Sequence, residues 1–190
     1  MMDERGLVHV IWSAAGEERF RELAQCLARH WRKHGPCRLL IGLEGPLGAG
    51  KTTWVRGMLR GLGYRGRVPS PTYTLLEHYE LGDITLVHID LYRLPEDPAS
   101  ARQAFELEAI GVNDWLAQPD AWLLVEWPGR SEQLIGRCDV LVEFEITGAT
   151  ERRVSITPHS PVGTALLSNM GARSAWRSAL YPTDAKSSVG

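Results

Sequence analysis

A chain of 190 residues, 44% of them hydrophobic, suits one ordinary globular core. Its 21 basic and 23 acidic side chains leave a formal net charge of -2, which excludes nucleic-acid binding through overall charge and leaves only a local basic patch open. Three cysteines with no CxxC pair fit neither a disulfide framework nor a zinc site, the start at Asp3, Glu4 and Arg5 is no secretory signal, and no apolar run approaches the ~20 residues of a membrane helix, so the expected setting is cytoplasmic.

In chain order, residues 7–12 predict a short strand. Ser13 is a candidate N-cap before the acidic turn of Glu17 and Glu18, and Phe20, Leu23, Ala24, Leu27 and Trp31 recur at helical spacing up to Gly35 and Pro36. Residues 38–43 form an apolar run of buried-strand type, and residues 52–62 a helix with Trp54, Val55, Met58 and Leu59 on its apolar face. Residues 72–81 and 84–90 predict two strands around the Gly82-Asp83 turn, a candidate hairpin. Residues 105–110 and 112–116 predict short helices, 121–126 a strongly apolar strand, and 139–146 with 152–157 two strands joined near Gly148. After Pro158 the composition turns to Ser, Ala, Gly and Thr. The expectation is a P-loop ATPase domain over 1–158 and a flexible tail over 159–190, with a short helix near 172–180. Strands alternating with helices predict an α/β sandwich.

Between the second strand and the second helix, Gly45-Pro46-Leu47-Gly48-Ala49-Gly50-Lys51-Thr52 matches G-x-x-x-x-G-K-[ST] without a gap. Glycines let successive backbone N–H groups point at one anion, and the following helix aims its positive end at the same place. Gly48, Ala49 and Gly50 are thus candidate phosphate donors, Lys51 a ligand of the β and γ phosphates, Thr52 a Mg²⁺ ligand and Thr53 a further phosphate donor. The absence of an Asn/Thr-Lys-x-Asp base-reading motif favours ATP over GTP.

A P-loop enzyme needs a carboxylate at the end of a buried strand for its metal shell. Two strands end in one: residues 122–126 at Glu126 and residues 86–90 at Asp90. Spacing alone does not say which acid serves the metal and which the water. His88 could be a general base or a buried, hydrogen-bonded strand histidine, and Arg93 could serve phosphate or pair with an acid. Residues 70–74 hold a position like that of a switch segment, where a hydroxyl could sense the γ-phosphate, but by pattern alone they read as a Pro-containing loop entering a strand.

Taken together, the segments 47–53, Arg56-Gly57 with 61–63, 70–75 (SPTYTL), 88–94 (HIDLYRL) and 126–128 (EWP) resemble the TsaE (YjeE) family over roughly residues 10–157. The resemblance implies a P-loop α/β fold with antiparallel strands in its central sheet. It implies ATP hydrolysis in the formation of threonylcarbamoyladenosine at position 37 of tRNAs reading ANN codons, together with TsaB and TsaD, the tRNA being met through the complex. Carried onto this chain, Thr52 and Glu126 bind Mg²⁺, Asp90 is catalytic, and Ser13 and Arg152 lie near the nucleotide. On this reading Lys51, Thr52 and Glu126, the last two through Mg²⁺, draw charge from the γ-phosphate while Asp90 orients the water. The chain departs from the family at Pro46, where an aspartate is usual; proline removes one N–H from the loop. Two rivals stand beside this reading: a small-molecule kinase, with Arg93, Arg130 and Arg137 as lid candidates, and a nucleotide-dependent binding module without useful turnover.

Overall fold

The structure is a computed structural model that describes residues 10–95, 97 and 100–171. Seven strands form one mixed sheet in the order β1-β7-β6-β2-β5-β4-β3. They are β1 (Val10–Ala15), β2 (Leu39–Glu44), β3 (Leu76–Glu80), β4 (Thr85–Asp90), β5 (Ala121–Glu126), β6 (Val140–Ile146) and β7 (Glu151–Pro158). The central pairs β6–β2, β2–β5 and β5–β4 are parallel, while β1, β7 and β3 join antiparallel. Strands β2 and β5 have helices on both faces, which explains why both read as continuous apolar runs rather than alternating ones.

The pleat sorts these residues between two cores. Leu39, Ile41 and Leu43 of β2, Leu86 of β4 and Trp122 and Leu124 of β5 join a core with α1 (Glu17–His34) and α2 (Lys51–Gly61). Leu40, Val87, Ile89, Leu123 and Val125 face the other way, into a core with α3 (Ala101–Ala109), α4 (Val112–Ala117) and α5 (Glu132–Ile135). Counting in twos from Leu86 and from Trp122 puts His88, Asp90 and Glu126 on the α2 face. Helix α1 carries Glu17 and Glu18 in its first turn and Arg32, Lys33 and His34 in its last, the arrangement the helix dipole favours. It lies very close to α2: a Cβ at Gly57 would stand 2.7 Å from the Ala24 Cβ.

The α/β sandwich with a mixed sheet is as the sequence predicts, and β3 and β4 do form a hairpin. Four details differ. Strand β1 runs on to Ala15, so Ser13 lies inside it opposite Arg153 and the cap position of α1 falls to Gly16. The expected strand over 72–81 starts only at Leu76, because Leu75 N–H closes a turn onto Pro71 O at 2.6 Å and Leu75 has φ 62°. Helix α3 begins four residues before the expected start, at Ala101. Finally, the chain does not become a tail at residue 159. Pro161–Gly171 form α6, with Leu166, Leu167 and Met170 buried in the first core and the Trp31 indole N–H donating to the Met170 sulfur at 3.1 Å. Small residues serve this docking: a Cβ at Gly163 would overlap the Asp139 carbonyl. The Asp139 side chain accepts from Ser160 Oγ and from Leu40 N, fastening the start of α6 to β2. The helix expected near 172–180 lies outside the described residues.

Candidate functional site

Strand β2 delivers the chain to the loop and α2 takes it away. Gly45, Gly48 and Gly50 hold φ of 145°, 76° and 104°, so the backbone reverses within six residues. Gly45 also packs too closely for any side chain, since a Cβ there would stand 2.6 Å from Phe144 O. Gly50 occupies the cap position of α2, whose N-terminal end is a ready site for an anion. Pro46 lies in the loop without distorting it: its carbonyl accepts from Ala49 N at 3.1 Å.

Lys51 is nearly buried, at 4% exposure. Its ammonium donates to Gly45 O at 2.6 Å and to Pro46 O at 3.0 Å, and stands 3.8 Å from the centre of the Trp127 ring. Burial lowers its pKa from the usual lysine value, opposed by Glu126, Glu44 and Asp90 in that order. Trp127 reaches this position with φ 61°, a rare conformation for a bulky residue, and its N–H bonds to Leu43 O just before the loop.

The two acidic strand ends are direct neighbours, Asp90 opposite Glu126 in the parallel β4–β5 ladder. Glu126 is 3% exposed; its Oε1 accepts from Thr52 Oγ1 at 2.8 Å and lies 2.8 Å from His88 Nε2. Asp90, also 3% exposed, accepts from Thr72 Oγ1 at 2.6 Å through Oδ2 and from Tyr92 N at 3.0 Å through Oδ1. Ser70 Oγ lies 2.9 Å from the Thr72 hydroxyl. A cleft of about 320 Å³ collects these groups, lined by Lys51, Thr52, Thr53, Thr72, Asp90 and Glu126 among others. A second cavity of about 240 Å³ opens on the other side of the loop, between Gly16, Glu17, Phe20, Thr53, Thr150 and Arg152.

The structure therefore gathers Gly48, Gly50, Lys51, Thr52, Thr53, Asp90 and Glu126 around one cleft, with Ala49 at the second cavity. Arg152 stands on the far side of the loop from Lys51's cleft. Its guanidinium donates to Ala49 O and Gly48 O at 3.3 and 3.2 Å, so it holds the loop backbone while lining the second cavity. Ser13 is placed only through its backbone on β1, and its side chain lies outside what is described. His88 is fully buried against Glu126. Arg93 stacks on the Tyr73 ring at 4.9 Å and is not among the residues lining the cleft. Arg130 donates to Leu94 O at 2.8 Å and faces Tyr92 and Trp127.

Sequence reasoning weighs a hydroxyl in residues 70–74 only to favour a plain loop, and does not single out Tyr92 or Trp127 as site residues. For Thr72 the signal was weak, a hydroxyl in a Pro-containing loop. For Trp127 there was none, since it reaches the loop through a φ of 61° that its sequence neighbours do not announce.

Comparison with known proteins adds a family. The family model described as "Threonylcarbamoyl adenosine biosynthesis protein TsaE" matches residues 14–154. Proteins named "tRNA threonylcarbamoyladenosine biosynthesis protein TsaE" include one from Haemophilus influenzae, 41% identical over 112 residues, which are 59% of this chain and 66% of that protein. Another, from Bacillus subtilis, is 30% identical over 146 residues, 77% of this chain and 84% of the relative. The match thus spans just under two thirds of the Haemophilus relative and more of the Bacillus one. The crystal structure of YdiB from Bacillus subtilis superposes with a TM-score of 0.67 at 24% identity, covering 87% of this chain and 96% of YdiB, a likeness of fold.

Proposed function

We infer the function of this chain from one premise: it belongs to the TsaE family, whose members are P-loop nucleotide-binding proteins. It hydrolyses ATP in the formation of the threonylcarbamoyl group on adenosine 37 of tRNAs reading ANN codons. It acts in the cytoplasm with TsaB and TsaD, and meets tRNA through them. No helix among the described residues is long and apolar enough to cross a membrane.

The observation that carries the enzymatic part is the meeting of Thr52 and Glu126 at 2.8 Å beside Asp90, directly in front of the loop lysine. The donor set suits Mg²⁺. It consists of one hydroxyl and one carboxylate, hard oxygen groups, and Mg²⁺ takes few protein ligands because phosphates and water complete its shell. Thr52 and Glu126 would hold the ion, which supplies charge neutralisation on the phosphates when bound. The chain does the rest. N–H groups of residues 48–53 and the α2 N-terminus bind the phosphates. Lys51 exchanges the Gly45 and Pro46 carbonyls for phosphate oxygens. Asp90, fixed by Thr72 and by Tyr92 N, orients the attacking water and accepts its hydrogen bond. Arg152 and, from β1, Ser13 flank the nucleotide.

ATP hydrolysis by the full chain, alone and with its cognate TsaB–TsaD complex, tests this reading, with Lys51→Ala as the blank. The expected result is a low rate that rises with the partners and vanishes in the variant. Turnover indifferent to the partners and dependent on an added small phosphate acceptor would replace it with a kinase. Tight ATP binding with no turnover in either mixture would replace it with a binding module.

A further inference from the structure

His88 has no part in that mechanism, yet it is fully buried at the site and, among the described residues, hydrogen-bonded through Nε2 to Glu126 Oε1 at 2.8 Å. A carboxylate oxygen accepts, so Nε2 carries the hydrogen, and Nδ1 is left as the ring's other polar atom. That Nδ1 is buried and has no hydrogen-bond partner among the described residues. A core built for stability alone avoids such an orphan, which costs about 1–3 kcal/mol of desolvation. An apolar residue of similar size would fill the position without it. Thr52 Oγ1 donates to the same oxygen, so both donors converge on Oε1 and leave Oε2 outside these bonds on a residue that lines the cleft.

We propose that His88 is a positioning residue: its Nε2–H fixes the Glu126 carboxylate on the Thr52 hydroxyl and thereby sets the affinity of the site for the divalent ion that accompanies the nucleotide. The proposal rests on the assignment of Glu126 to the metal shell. It goes beyond that assignment by naming the group that aims the carboxylate. The period of the strand supports it: His88 is the side chain between Leu86 and Asp90 on the α2 face, two residue pairs behind Glu126 in the β4–β5 ladder. Removing the donor frees the carboxylate to rotate. The nucleotide contacts of the loop lie on other residues and stay as they are.

The test uses Mn²⁺ as the spectroscopic probe for the divalent site. Free Mn²⁺ is followed by EPR as the ion is titrated into the full chain loaded with ADP. ADP affinity without metal is measured in parallel and also shows that each variant folds. His88→Gln places an N–H the same number of bonds from Cα as Nε2 and should keep Mn²⁺ affinity within about threefold. His88→Leu lacks the donor and should weaken it by about 10–100-fold, the usual cost of losing an outer-shell partner. Metal-free ADP affinity should be unchanged in both. If Leu prevents folding, the unbranched His88→Met is judged by the same criterion. The proposal is overturned if the apolar variant binds Mn²⁺ within twofold of the parent, or if His88→Gln loses as much as His88→Leu. Glu126→Gln separates the two levels. A weakened Glu126→Gln beside an unaffected His88→Leu defeats this inference alone, whereas an unaffected Glu126→Gln defeats the metal assignment beneath it.

Discussion

Asp90 and Glu126 sit side by side at the ends of neighbouring parallel strands, equally buried, on the same face of the sheet. Their partners differ in kind. Glu126 is held from below by a core histidine and from the side by the first turn of α2. Asp90 is held by a hydroxyl on the turn before β3 and by its own following backbone. One acid is thus tied to the frame that carries the phosphate loop. The other is tied to residues 70–75, where no strand or helix is formed. The comparison teaches that identical placement on a sheet does not fix a role. An acid bound to rigid elements suits holding an ion in one place, while an acid bound to a turn can follow a reacting group.

The strongest attempt to break this division is Asp90→Asn. If Asp90 handles the water, turnover in the assembled complex should fall about 10²–10⁴-fold, with ADP affinity within about threefold of the parent. Equal losses of turnover and affinity would merge the two acids into one role. Glu126→Gln comes next. Losing a charged partner of Thr52 is worth about 1.5–3 kcal/mol, so the Mg²⁺ concentration giving half-maximal activity should rise about 10–100-fold, with metal-free nucleotide binding retained. Thr72→Val removes one of two donors on Asp90 and should cost turnover about tenfold without moving KM, while Thr72→Ser restores it. A KM change of similar size would mean the turn binds substrate.

The smallest effect on turnover, none, is expected at Cys138, on the other face of β2. Its thiol donates to Leu134 O, and burial is the main reason its pKa is pushed up to about 12 from 9.0. The folded chain holds this proton longer than the unfolded one. Stability should therefore be steady below pH 9 and fall as pH rises from about 9 to 12, where the unfolded thiol ionises and the folded one does not. In Cys138→Ala the alkaline arm of the unfolding curve should be flatter, with ATP hydrolysis at neutral pH unchanged. A loss of hydrolysis would mean that the core with α3, α4 and α5 bears on the site.

Much of this site could be read from the chain before any fold was known. The phosphate loop is contiguous, and its glycines announce the backbone they permit. Asp90 and Glu126 stand at the ends of apolar runs, and period two then carries His88 to their face. What stayed hidden depends on contacts between distant segments. Nothing local places Thr72 on Asp90, and that bond helps turn the expected start of β3 into a loop. Nothing local parks the Lys51 ammonium on the Trp127 ring. The stretch that forms α6 reads as tail because the composition after Pro158 is rich in Ser, Ala, Gly and Thr, with few large apolar groups. Its fit comes from the smallness of Gly163 and from three apolar residues on one side, a signal too short to stand out.

The antiparallel pairing of β1 with β7 carries a consequence for how the chain is made. Of the described strands, β1 leaves the ribosome first during synthesis, and β7, the one it pairs with, leaves last. At ~5–20 residues per second the wait is on the order of ten seconds, during which β1 presents two bare edges to its surroundings. Helix α1, emerging directly behind it, can shelter one face but neither edge. The last step of assembly at that side of the sheet is thus set by translation rather than by diffusion, and slowing the ribosome between β1 and β7 should raise the share of nascent chains lost to aggregation.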